Sequence, residues 1–339
     1  MLSGDPVAVI GAGSWGTALA ILISSARRPV RLWGRNTAAM KAMVTSRCNE
    51  RYLPDALFPE SLQPVCELDE LVEDVNRFLI VVPSHVFRQN LEALANAINR
   101  SGNPINHCTF VWGTKGFEPG SGRLLSEVAQ DVLGPGATKA VVSGPSFARE
   151  VVLGMPTALT VGSEQEQDAE TIAQWFRNES TRVYTNTDIA GVQLGGALKN
   201  VMAIATGISD GLGLGANARA AVITRGLAEL TRLGEALGGN TETFMGLTGV
   251  GDLILTCTDD QSRNRRVGMG LGRGKKLVQV LQEIGQEAEG INTARELHNL
   301  SKRKNLDMPI TEQVYKVLFE DLPPQDAVEA LLSRSPRSE

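Results

Sequence analysis

The sequence is poor in the residues that build metal centres and disulfide frameworks. Its 339 residues include only four cysteines and three histidines. Cys48, Cys66, Cys108 and Cys257 stand far apart with no Cys-x-x-Cys pair, and His85, His107 and His298 are equally scattered. Structural zinc and disulfide staples are disfavoured, and no metal is expected. His107 and Cys108 are adjacent, but on a strand, as the apolar run after them suggests, they face opposite sides and cannot chelate one ion. No long block of lysine and arginine occurs, and the net charge is 33 − 38 = −5, which argues against nucleic acid or a membrane surface as partner. No window approaches about 18 uninterrupted apolar residues. The N-terminal Met-Leu-Ser-Gly-Asp-Pro lacks the pattern of a secretory signal. The expected protein is globular and cytoplasmic, with no stable membrane insertion.

Glycine, by contrast, is abundant: 35 of 339 residues, which implies close backbone approaches. The length suggests about two domains. The first half alternates β-branched apolar runs with helical patterns, the mark of βαβ units and a parallel sheet covered on both faces. Strands are predicted at Val7–Ile10, Val30–Trp33, Phe78–Val82, Thr109–Trp112, Ala140–Val142 and Ala158–Val161. After about Tyr184 long helical patterns take over, beginning near Asp188. These features predict an α/β domain over 1–189, a mostly α-helical domain over 190–333 and a polar tail over 334–339.

Directly after the first predicted strand comes Gly11-Ala12-Gly13-Ser14-Trp15-Gly16, followed by an apolar helical run. In that setting Gly-x-Gly-x-x-Gly predicts a Rossmann-type doubly wound domain that binds a dinucleotide. Gly11 allows the turn, Gly13 the approach of a pyrophosphate, and Gly16 close helix packing, with Ser14 and Trp15 in the same loop. The alternative is an ordinary strand-to-helix turn. The second strand ends Trp33-Gly34-Arg35 with no carboxylate to receive a ribose 2′-hydroxyl. Arg35 is therefore either a partner for a 2′-phosphate, so that NADPH is accepted as well as NADH, or a solvated strand-end charge.

Lys199 stands in an apolar helical run from Gly196 to Ile208. Burial there would lower its pKa and suit it to proton transfer; the bland alternative is a lysine snorkelling from a helix face. Lys115 follows a predicted strand at the carboxyl end of the sheet, where ligands of such folds gather. Ser262-Arg263-Asn264 offers a hydroxyl, a guanidinium fork, an amide and consecutive N–H groups, either as a phosphate clamp or as a polar turn in a solvated charge cluster with Arg265 and Arg266. Asp210 reads as a helix terminator. Gly270-Leu271-Gly272-Arg273-Gly274-Lys275 is no phosphate loop, because Met269 replaces the first glycine and Lys276 the Ser/Thr. No Gly-x-Ser-x-Gly elbow of a hydrolase is present.

The stretch Gly196-Ala197-Leu198-Lys199-Asn200 through Asp210-Gly211 to Gly215-Ala216-Asn217 resembles the signature of NAD-dependent glycerol-3-phosphate dehydrogenases, most closely the bacterial biosynthetic form. Similar blocks follow the family's order at Trp112–Gly116, Ser143–Ala148, Gly251–Leu253, Ser262–Arg265 and Gly285–Gly290, so the likeness runs from about residue 5 to 325. The resemblance implies NAD(P)H-dependent interconversion of dihydroxyacetone phosphate and sn-glycerol 3-phosphate for glycerophospholipid synthesis, by a homodimer. It implies Lys199 as general acid and base. Lys115, Gly144, Ser146, Asn200, Asp252, Thr256, Ser262, Arg263 and Asn264 would join Lys199 on the substrate, with Asp252 either holding Lys199 or binding a substrate hydroxyl. Lys115, Ala148, Arg263, Glu287 and Glu289 would meet the cofactor, Glu287 through main-chain atoms because valine is common at its position. Two rivals stay open: a dehydrogenase of hydroxy or keto acids, and a nucleotide sensor without chemistry.

Overall fold

A computed structural model describes residues 4–335; positions 336–339 of the predicted tail lie outside the described residues. The chain divides into two compact units. One comprises the sequence up to Glu118 together with residues 123–193, the other residues 119–122 and the sequence from Leu194 onward.

In the first unit, strands β1 (Val7–Ile10), β2 (Val30–Trp33), β5 (Leu62–Val65), β6 (Arg77–Ile80), β7 (Thr109–Trp112), β8 (Thr138–Ser143), β9 (Thr157–Gly162) and β10 (Thr181–Asn186) form one sheet, in the order β10-β9-β8-β7-β6-β1-β2-β5. A small hairpin pairs β3 (Cys48–Asn49) with β4 (Leu53–Leu57). Seven helices connect them: α1 (Ser14–Ser25), α2 (Thr37–Ser46), α3 (Leu68–Val72), α4 (Phe87–Arg100), α5 (Leu125–Leu133), α6 (Ala148–Val152) and α7 (Glu166–Ala173). The chain winds outward from β1 in both directions, so the switch in strand order falls between β1 and β6. Alternate strand residues supply two cores. Val7, Val9, Leu79 and Val111 pack on the face covered by α1, while Ala8, Ile10, Phe78, Phe110 and Trp112 pack on the face covered by α4 and α5. Each such large apolar side chain contributes about 1.5–3 kcal/mol.

Three expectations are corrected. The sheet is not wholly parallel: β9 runs antiparallel to β8, with Val141 opposite Gly162 and Ser143 opposite Thr160. The intervening α6 has only five residues, too few to carry the chain back along the sheet for a parallel crossover. His107 and Cys108 do not lie on a strand. Ile105–His107 form a tight 3₁₀ turn before β7, and burial raises the Cys108 thiol pKa. Val81 and Val82 fall beyond β6, in the turn that meets the glycine loop.

The second unit is helical: α8 (Ile189–Gly211, entering the unit at Leu194), α9 (Gly215–Ala236), α10 (Thr241–Phe244), α11 (Asp252–Thr258), α12 (Arg263–Gly272), α13 (Leu277–Ile284), α14 (Glu289–Lys304), α15 (Pro309–Phe319) and α16 (Pro324–Leu332). A π-helical turn, Leu247–Gly251, leads into α11. Glycines let α12 lie directly on α8: a Cβ at Gly207 would sit 2.1 Å from the Arg265 carbonyl oxygen, and one at Gly268 2.0 Å from that of Ile204. Among the described residues no helix is long and apolar enough to cross a membrane, and no group of His, Cys, Asp or Glu is arranged to hold a metal.

Candidate active site

The glycine loop sits at the switch in strand order. Gly11 has φ +118°, a left-handed conformation that favours glycine, and its N–H donates to the Trp33 carbonyl at 2.8 Å. At Gly16 a Cβ would come within 1.8 Å of the Gly11 carbonyl oxygen, so α1 can start this close to β1 only without a side chain there. Gly13 caps α1 with no side-chain hydrogen bond, and the first turn carries no acidic residue. The helix thus presents unopposed N–H groups with the polarity that suits a pyrophosphate. Nothing stands within 4 Å of a Cβ built at Gly13, which leaves room for that anion; the residues present fit a dinucleotide.

The neighbouring loops are tied together. Buried Asn49 donates from Nδ2 to the Ala12 carbonyl at 3.0 Å and to Thr17 Oγ1 at 2.8 Å, bracing the glycine loop from the β3–β4 hairpin. Thr114 Oγ1 donates to the Val82 carbonyl at 2.8 Å, joining the turns after β7 and β6, and half-buried Lys115 follows it. Gly144 has φ +139°, and a Cβ there would lie 2.9 Å from the Ala158 carbonyl oxygen, so both favour glycine; Ser146 Oγ donates back to the Gly144 carbonyl at 3.1 Å. Ala148 opens α6, which packs against α1. Arg35 is exposed after β2, one residue before Asn36 caps α2.

In the second unit Lys199, on α8, forms an ion pair with Asp252, the first residue of α11; their side chains are 8% and 0% exposed. Burial favours the neutral amine, whereas the carboxylate favours the ammonium, so desolvation does not act alone. Thr256 Oγ1 donates to the Asp252 carbonyl at 2.6 Å and lies 3.4 Å from its Oδ1. Cys257 is buried among Lys199, Asp252 and Arg265, and burial pushes its thiol to about 12, so it stays neutral beside the pair. A close crossing sets this geometry: a Cβ at Gly195 would meet the Thr248 carbonyl oxygen at 2.2 Å, bringing the π turn, and Asp252 after it, against α8.

Ser262 caps α12, its Oγ accepting from the Arg265 N–H at 3.2 Å, which leaves its own O–H to donate. Arg263 is half-buried, and buried Asn264 accepts from the Gly290 N–H at 3.0 Å through Oδ1. A Cβ at Gly290 would lie 2.7 Å from both the Asn200 carbonyl oxygen and Asn264 Oδ1. Lys199, Asp252 and Thr256 therefore form one cluster, and Gly290 ties Asn264 to Asn200, the residue after Lys199. Glu287 is exposed and Glu289 half-buried, just before Gly290 at the start of α14.

Comparison with known proteins matches the N-terminal part of NAD-dependent glycerol-3-phosphate dehydrogenase to residues 6–169 and its C-terminal part to residues 188–329. The chain belongs to this family. A glycerol-3-phosphate dehydrogenase (NAD(P)+) of Thioalkalivibrio sulfidiphilus is 53% identical over 338 residues, covering 100% of both chains. The one from Alkalilimnicola ehrlichii is 54% identical over 329 residues, 97% of each. The crystal structure of glycerol-3-phosphate dehydrogenase from Coxiella burnetii, 45% identical, matches with TM-score 0.93 over 97% of this chain and 99% of that one.

As a member of the glycerol-3-phosphate dehydrogenase family the chain is an NAD(P)-dependent oxidoreductase acting on a CH–OH group. Three features of its site escape a reading of the residues alone. Asn49 carries no sequence signal, since an asparagine after Arg47-Cys48 looks like any turn residue. Gly195 is hidden in a run of helical small residues. Arg265, which one of the two sequence alternatives placed in a solvated charge cluster, is buried instead: its side chain is 7% exposed and held by Asp210 at 2.6 Å and by Asp260. Asp210 consequently pairs with Arg265, and with Arg219 at 3.4 Å, rather than merely ending a helix.

Proposed function

We propose that this protein interconverts dihydroxyacetone phosphate and sn-glycerol 3-phosphate, with Lys199 as general acid and base, as a cytoplasmic homodimer that supplies glycerophospholipid synthesis. Its first domain, 1–189, would bind the dinucleotide and its second, 190–333, the substrate. The observation that carries this reading is the buried Lys199–Asp252 pair beside Asn200 and the Ser262–Asn264 segment. A protonated amine held there can donate to the ketone oxygen and, in reverse, accept the hydroxyl proton. The same positive charge stabilises the oxyanion as it develops.

When bound, the nicotinamide supplies or receives hydride at C2. Gly11, Gly13, Ser14, Trp15 and Gly16 would hold its pyrophosphate, Arg35 the 2′-phosphate of NADP, and Lys115, Ala148, Arg263, Glu287 and Glu289 the rest. Asp252 positions the Lys199 ammonium, and Thr256 restrains Asp252. Ser262, Arg263 and Asn264 receive the substrate phosphate: the serine by its O–H, the arginine by its fork, the asparagine by its amide nitrogen while Oδ1 is engaged at Gly290. Lys115, Gly144 and Ser146 are also assigned to the substrate.

The reading is tested by following loss of NADPH absorbance with dihydroxyacetone phosphate. Wild-type protein should turn over, and Lys199→Ala should lower kcat by about a hundredfold or more. Absence of wild-type turnover would favour an acid-reducing dehydrogenase or a sensor, and near-wild-type turnover of the variant would remove Lys199 from its role.

A further inference from the structure

Arg265 is assigned above to neither substrate nor cofactor, yet both its side chain and its main chain are engaged. Its side chain is 7% exposed and bridges Asp210, at the C-terminal end of α8, to exposed Asp260, in the turn before α12. Its backbone is equally committed. The N–H donates to Ser262 Oγ, and the carbonyl lies against Gly207 so closely that a Cβ there would meet it at 2.1 Å. Main chain and side chain thus grip α8 at Gly207 and Asp210, positions i and i+3 on one face of a helix. That helix also carries Lys199 and Asn200.

From this arrangement we propose that Arg265 is a positioning residue, holding Ser262, Arg263 and Asn264 at a fixed distance from Lys199 so that the segment receives the phosphate while the amine meets the reacting oxygen. The inference rests on the substrate reading given above. The planar fork matters because two carboxylates on different elements must be bridged at once, which a lysine ammonium does with poorer geometry. Asp210 is the second half of the device: its carboxylate anchors the guanidinium to α8, and Arg219 steadies it from α9.

The decisive comparison uses two substrates that differ only in the phosphate. For wild type, Arg265→Lys, Arg265→Met and Asp210→Asn, kcat and KM are measured with NADPH against dihydroxyacetone phosphate and against dihydroxyacetone. If the segment is displaced, kcat/KM for the phosphorylated substrate falls roughly tenfold to a hundredfold, mostly through KM. That for dihydroxyacetone stays within about threefold, so the preference for phosphate shrinks. Arg265→Lys should recover part of the loss relative to Arg265→Met, and it carries the comparison if the methionine variant does not fold. Equal losses on both substrates, or an unchanged preference, would overturn the proposal. A wild-type enzyme inactive on dihydroxyacetone phosphate would instead defeat the substrate reading itself, so the two failures are distinguishable.

Discussion

A methyl group added at Gly11 would lie 2.2 Å from the Val81 carbonyl oxygen, on a backbone with φ +118°, whereas one added at Gly13 would meet nothing within 4 Å. The two glycines serve different ends although they share one motif. Gly11 satisfies the fold: it lets the chain turn from β1 against the end of β6. Gly13 faces open space, where the proposed pyrophosphate would lie. Gly11→Ala should therefore destabilise the protein by roughly 3 kcal/mol in chemical denaturation, from strain plus collision. Gly13→Ala should cost about 1 kcal/mol or less, the ordinary penalty at a helix N-cap. It should nevertheless raise KM for NADPH about tenfold, because a methyl group stands where the pyrophosphate must approach. A Gly13→Ala enzyme with unchanged KM for NADPH would refute the assignment of the loop. Arg265 teaches the opposite lesson about a single residue. Its neighbours Asn264 and Arg266 make it look solvated, and only a carboxylate 55 positions away reveals that it is buried.

Buried Glu229 on α9 shows how one element is attached to another. Its carboxylate accepts from the Ile310 N–H at 2.6 Å, the Thr311 N–H at 3.1 Å and the Thr311 hydroxyl at 2.8 Å, so it caps α15 from a neighbouring helix. Burial pushes its pKa up to about 7, against the opposing pull of those donors and of Arg232. A carboxyl raised in the folded state binds more protons folded than unfolded between about pH 4.5 and 7. Stability from this group is therefore full below that window and declines as pH rises through it, by about 3 kcal/mol at most. Urea unfolding from pH 4.5 to 8 should show this slope flattened in Glu229→Gln. That variant should also be weaker by about 1–3 kcal/mol at low pH, because its amide nitrogen cannot accept from Thr311. An identical pH slope in both proteins would show that the carboxyl titrates normally.

Elements differ in how visible they are before folding. β1 and β7 are legible because strands buried on both faces read as unbroken apolar runs. β5 contains Pro64, and its place at the sheet edge, where a missing N–H is harmless, is a tertiary fact. β10 also lies at an edge, and its alternation of buried Thr181 and Val183 with exposed Arg182 and Tyr184 is short and polar. The π turn from Leu247 to Gly251 has no periodicity to announce it, yet it delivers Asp252 to Lys199.

At the scale of the whole molecule, the dinucleotide loop was legible because all its parts are contiguous. The lysine cluster was not, because Lys199 and Asp252 lie 53 residues apart and the resemblance, not the residue pattern, brought them together. Cofactor binding can be followed in the intact protein without catalysis, since a ligand held only by the folded state raises its stability by about 2.7 kcal/mol at a hundred times its Kd. Thermal melts with saturating NADP+ and NAD+ should thus each shift upward in wild type. On the proposed role of Lys199 in proton transfer, Lys199→Ala should keep both shifts. Arg35→Ala should lose most of the NADP+ shift and keep that of NAD+, because its guanidinium addresses only the 2′-phosphate. Equal losses with the two cofactors would return Arg35 to the role of an exposed strand-end charge, and a Lys199→Ala protein that no longer responds to either would mean that the lysine supports the cofactor site instead of the chemistry.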